Sequence, residues 1–106
     1  MEHYTMTVKD FIIMSHQKIK TEMQLPNDIS IFMFGSVLLH KQNSDIDLLI
    51  IYEIETISIS NILQYRLKLA NEIKKKYNKF CDISLLSASE ELQVQFAKYE
   101  NAIKVT

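Results

Sequence analysis

Two short apolar runs constrain this chain most. ISIFMF occupies 29–34, and LLII occupies 48–51 inside DIDLLIIY at 45–52. Both fall far short of the roughly 20 residues that a membrane-spanning helix requires. The first is continuously hydrophobic and mostly β-prone, so it reads as a strand covered on both faces, central in a sheet. Gly35 and Ser36 break it, a polar connection HKQNS runs from 40 to 44, and DIDLLIIY reads as a second strand with two carboxylates at its leading end.

The flanking segments carry helical periodicity. Thr7-Val8-Lys9-Asp10 reads as a capping box, and Phe11, Ile12, Ser15, Ile19 and Met23 follow at helical spacing. Pro26 closes that helix, because proline disfavours helical geometry in the residue before it, and Asn27 and Asp28 supply turn chemistry. From Ser58 to Tyr77 the apolar positions Ile59, Ile62, Leu63, Leu67, Ala70, Ile73 and Tyr77 predict a long helix, with Lys74, Lys75 and Lys76 at its dipole-favoured end. Phe80 to Leu86 reads as a third strand. Ser87-Ala88-Ser89-Glu90 is a second capping box before Leu92, Phe96, Tyr99 and Ile103 on one expected helical face. The order helix, strand, strand, helix, strand, helix predicts an α/β (α+β) fold, a small sheet with helices packed against it.

At 106 residues the chain predicts one domain over 1–106, with little material for a separate acceptor-binding domain. The net charge of −1 supplies no basic field to gather nucleic acid. The single cysteine, Cys81, forms no internal disulfide, and MEHYTMTVKD lacks the pattern of a secretory signal, so a cytoplasmic domain without membrane attachment is expected.

Function is carried by the carboxylates. Strand side chains alternate, so Asp45 and Asp47 point to one face, their Cα atoms roughly 6.5–7 Å apart, while Ile46 points to the core. On the third strand, Phe80, Asp82, Ser84 and Leu86 share a face opposite Cys81, Ile83 and Leu85, and neighbouring strands in register would bring Asp82 to the pair. Two carboxylates about 4 Å apart repel by about 4 kcal/mol at an effective dielectric near 20. A divalent ion relieves that cost, and an all-oxygen donor set suits Mg²⁺ or Mn²⁺ rather than zinc.

FGSVLLHKQNSDIDLLIIY at 34–52, followed by CDISLL at 81–86, resembles the DNA polymerase β-like nucleotidyltransferase superfamily, specifically its minimal members, over most of the chain. The resemblance implies the polymerase β-like fold with a small mixed sheet, and ATP as donor with two Mg²⁺ ions in the active complex. It implies that Gly35 and Ser36 approach the triphosphate, that Asp45 and Asp47 hold the metal ions, and that Asp82 completes the second metal site and serves the attacking hydroxyl as base. It also implies transfer of AMP to a hydroxyl of a partner protein, as in antitoxins that face a helical HEPN toxin. Homo- or hetero-oligomers fit that setting. Two departures stand out. Many members carry an arginine after Gly-Ser where this chain has Val37, Leu38 and Leu39, with Lys41 as the candidate substitute, and the 37–44 connection is short. Alternatives are a non-catalytic module that neutralises a toxin by occlusion, or transfer to a small molecule such as an aminoglycoside.

Other residues read as structural. His3, His16 and His40 lack metal-ligand spacing and are expected in loops or on the surface. Cys81 is expected in the core, Lys74–Lys76 and Lys79 at a solvated helix end, and Tyr65 and Arg66 at the surface or rim.

Overall fold

The computed structural model describes residues 6–27, 29–35 and 45–106, apart from the Tyr99 side chain. The expectations for His3, Asp28, Ser36, the 37–44 connection with His40 and Lys41, and the Tyr99 side chain lie outside the described residues. The elements are α1 (Val8–Met23), β1 (Ile29–Phe34), β2 (Ile46–Tyr52), α2 (Ile59–Tyr77), β3 (Cys81–Ser87), α3 (Ala88–Val94), α4 (Phe96–Tyr99) and β4 (Ile103–Lys104). The four strands form one mixed sheet in the order β3-β2-β1-β4. β1 pairs antiparallel with β2 and β4, whereas β2 and β3 run parallel, joined by the crossover helix α2.

Local chemistry fixes the helix limits. Thr7 Oγ1 accepts the backbone N–H of Asp10 at 3.1 Å, and α1 stops at Gln24 in the left-handed region with φ 54°. Ser58 caps α2 through Asn61 N–H, and Ser87 and Glu90 complete a reciprocal capping box at α3. One sheet face packs under α1 and α2. Phe11, Ile12 and Ile19 of α1 and Ile62, Leu69 and Ile73 of α2 close over Ile31, Met33, Ile46, Leu48 and Ile50. The alternation expected of β2 and β3 therefore holds, with Cys81, Ile83 and Leu85 against this core and Asp82 and Ser84 exposed on the other side.

Five expectations are corrected. The buried stripe of α2 is Ile62, Tyr65, Leu69 and Ile73, whereas Ile59, Leu63 and Leu67 face outward. Both stripes have helical spacing, and only the tilt of α2 on the sheet selects between them. Tyr65, expected at the rim, is fully buried, and His16, expected at the surface, is buried beside it. The two side chains satisfy each other, His16 Nδ1 lying 2.6 Å from Tyr65 Oη.

The expected C-terminal helix breaks at Gln95, which adopts φ 50°. Glu91 Oε1 accepts the Ala97 N–H at 2.9 Å and restarts a single turn, α4, while Leu92 is left 79% exposed. Ile103 lies in β4 rather than on a helix. The β1 edge would otherwise present unpaired backbone groups, and the tail covers it: Ile31 N–H donates to Thr106 O and Val105 N–H to Ile31 O.

The buried His16–Tyr65 pair yields a test. Burial, and secondarily the Lys20 ammonium, holds the imidazole below its ordinary pKa, so the folded protein keeps it neutral. Below about pH 6.5 the unfolded chain binds a proton that the folded chain resists. The pair's stability is complete above that pH and is lost as pH falls towards the folded value. Tyr65→Phe is expected to cost about 1–3 kcal/mol in urea unfolding at pH 8 by leaving the imidazole nitrogen unsatisfied. His16→Gln should flatten the stability profile between pH 7 and pH 5.

Candidate active site

Three strands align their functional side chains by register. Phe34 of β1 lies opposite Asp47 of β2, and Asp47 lies opposite Asp82 of β3. Neighbouring strands are about 4.8 Å apart, so the Asp47 and Asp82 backbones are adjacent, and their parallel register sends both side chains to the face away from α1 and α2. Asp45 precedes β2 by one residue and is exposed, whereas Asp47 is half-buried. The register thus sets Asp47 beside Asp82, with Asp45 just before the start of β2.

Their electrostatics follow from that crowding. Burial, then the charges of Asp82, Asp45 and Glu100, push the Asp47 carboxyl above its ordinary pKa. Cys81, one residue from Asp82 but on the core face, has its thiol pushed up to about 12 by burial and then by Asp47 and Asp82. A thiol so raised stays protonated at neutral pH, which makes it core packing rather than a nucleophile.

Glu100 is a neighbour that the sequence pattern did not supply. It follows α4, which an edge-to-face contact ties to the strand end: the Phe34 and Phe96 rings lie 5.1 Å apart at 84°. No periodicity signals that a residue 53 positions beyond Asp47 returns to its field. Only the helix break at Gln95 accounts for it.

Gly35 has a reason in the fold itself. Its φ is 81°, in the region that disfavours L side chains, and a Cβ there would collide with Asp47 Oδ2 while lying 3.3 Å from Asp47 Cγ. The turn and the carboxylate are therefore in direct contact. Ser36, expected beside Gly35 at a phosphate, lies outside the described residues.

Four carboxylates share one field here, and their oxygen-only chemistry suits a hard divalent cation. Among the described residues, no three His, Cys, Asp or Glu side chains already stand as a ready ligand set.

The family described as "Polymerase beta, Nucleotidyltransferase" matches residues 10–105. The chain belongs to that family. Its four-stranded mixed sheet with helices is the polymerase β-like nucleotidyltransferase fold. Two solved structures are similar to this nucleotidyltransferase domain. The first, described as a toxin–antitoxin with AMP-PNP, superposes with TM-score 0.60 at 20% identity, covering 94% of this chain and 73% of the other. The second, a mutant of a toxin–antitoxin called MntA-HpeT, gives TM-score 0.55 at 18% identity with the same coverage. No curated protein matches. Among the described residues, no helix is long and apolar enough to cross a membrane.

Two outcomes are expected. Gly35→Ala should cost about 1–2 kcal/mol from the left-handed backbone alone, measured by thermal or urea unfolding, and should displace Asp47. By carbon-detected NMR, Asp47 should titrate above the ordinary carboxylate value near 3.9, and Asp82→Asn should bring it down.

Proposed function

We propose that this domain transfers a nucleotidyl group, AMP from ATP, to a hydroxyl of a partner protein, and that Asp45, Asp47 and Asp82 are its catalytic residues. The observation that carries this reading is the register that sets Asp47 beside Asp82 on the sheet face away from α1 and α2, with the Asp47 carboxyl raised by burial and then by its acidic neighbours. A site that penalises its own negative charge is suited to receive cations.

Asp45 and Asp47 are assigned to Mg²⁺, and Asp82 to Mg²⁺ and the acceptor. Bound Mg²⁺ supplies charge neutralisation for the triphosphate and for the oxygens entering and leaving phosphorus. Gly35, with Ser36 after it, approaches the phosphates by backbone. The Asp82 carboxylate orients the acceptor hydroxyl and takes its proton as the new oxygen–phosphorus bond forms. The bond from the α-phosphorus to its bridging oxygen breaks, and pyrophosphate leaves.

Support for a protein acceptor comes from the similar structures, both described as toxin–antitoxin assemblies and one holding AMP-PNP. In this reading the chain is the antitoxin of a HEPN-type toxin. Occlusion without transfer is the second reading, favoured by the lack, among the described residues, of a preassembled three-ligand set.

Isothermal titration should find ATP binding that requires Mg²⁺ and is lost in Asp47→Asn. Incubation with the candidate toxin, ATP and Mg²⁺ should add one or more AMP masses to the toxin by mass spectrometry. Asp45→Asn and Asp82→Asn should reduce the rate by at least about a hundredfold, the lower range for removing a positioned proton-transfer group. Neutralisation that survives all three substitutions, with no added mass, selects occlusion.

A further inference from the structure

The outward stripe of α2 has no place in the chemistry above. Ile59, Leu63 and Leu67 are 60%, 42% and 64% exposed, spaced four residues apart on one flank of the helix. That flank overhangs β3, the last strand of the sheet, which pairs only with β2 among the described residues. Between helix and strand lies a cavity of about 450 Å³ whose lining includes Leu63, Arg66 and Leu67 of α2 and Cys81, Asp82 and Ile83 of β3. The strand CDISLLS contains neither proline nor lysine, two usual obstacles to pairing at a sheet edge.

Charge along this surface is polarised. Lys74, Lys75 and Lys76 occupy the last turn of α2, with Lys74 Nζ 4.5 Å from the centre of the exposed Phe80 ring. Glu53 and Glu55, both exposed, sit at the opposite end, in the turn that leads into α2. A surface that is apolar in its middle, basic at one end and acidic at the other is complementary to itself when rotated by half a turn.

We infer that the α2–β3 edge is a homodimer interface, its occupant a second copy of this chain. An antiparallel pairing of β3 with its equivalent, centred on Ser84, extends the sheet to eight strands. It sets Ile83 of one copy opposite Leu85 of the other, and Cys81 opposite Ser87. The two α2 helices then run antiparallel over the junction, Leu63 meeting Leu67 of the other copy. Lys74–Lys76 of each helix approach Glu53 and Glu55 of the other. Like residues at the centre and opposite charges at both ends favour a second copy over an unrelated helix or strand. Asp82 lies in the paired strand, opposite Leu86 of the other copy, whereas Asp47 lies one strand further in on β2.

The test uses the intact chain. Sedimentation velocity from 1 to 200 µM should show a monomer–dimer equilibrium, a range set by the micromolar to millimolar affinities of small interfaces. Leu67→Glu should weaken it at least tenfold with the circular dichroism unchanged. Glu53→Lys with Glu55→Lys should also weaken it, and adding Lys74→Glu and Lys75→Glu should restore it. Ser84→Cys in a Cys81→Ser background should give an intermolecular disulfide under mild oxidation, since opposed strand positions satisfy the Cα spacing of a disulfide. A monomer at every concentration overturns the inference. So does a dimer that Leu67→Glu leaves intact and Ser84→Cys does not cross-link. A toxin that binds the chain only as a monomer, losing affinity on Leu67→Glu, overturns it in favour of the unrelated partner.

Discussion

The parallel register between β2 and β3 carries the rest of the structure. Because Asp47 pairs with Asp82 and not with Cys81 or Ile83, both carboxylates leave the sheet on the side away from α1 and α2. A slip of one residue would send Asp82 into the core face and bring Cys81 out. The apolar residues prevent it: Ile46, Leu48 and Ile50 on β2 and Cys81, Ile83 and Leu85 on β3 all face the same two helices. The core thus sets which face carries Asp47 and Asp82 by hydrophobic register.

That division explains how the fold tolerates its own repulsion. The unfavourable proximity of Asp45, Asp47, Asp82 and Glu100 is confined to a partly solvated sheet end, where screening is stronger than in the interior. The core beneath is apolar, apart from groups such as Ser15, Ser87 and the hydrogen-bonded His16–Tyr65 pair.

Much of this was legible in the residues. Strict two-residue alternation predicts the shared face of Asp47 and Asp82, because a strand admits only two facings. Helices admit more, and there local pattern alone does not choose. The Ile59–Leu63–Leu67 and Ile62–Leu69–Ile73 sets on α2 are both plausible core stripes, and the choice depends on how the helix lies across the strands. Neither His16 nor Tyr65 announces burial by its type, and only their mutual hydrogen bond makes it tolerable. The periodicity of the C-terminal segment alone is sound for one helix. What broke it was the open edge of β1, a demand made by tertiary structure that no local pattern records.

Direct contact between the Gly35 turn and the Asp47 carboxylate has a mechanical consequence. With no side chain between them to absorb displacement, anything that presses on the turn also presses on the acid. A shift of the turn is therefore a shift at the carboxylate. A larger residue at 35 would press on Asp47 Oδ2 even in a protein that still folds.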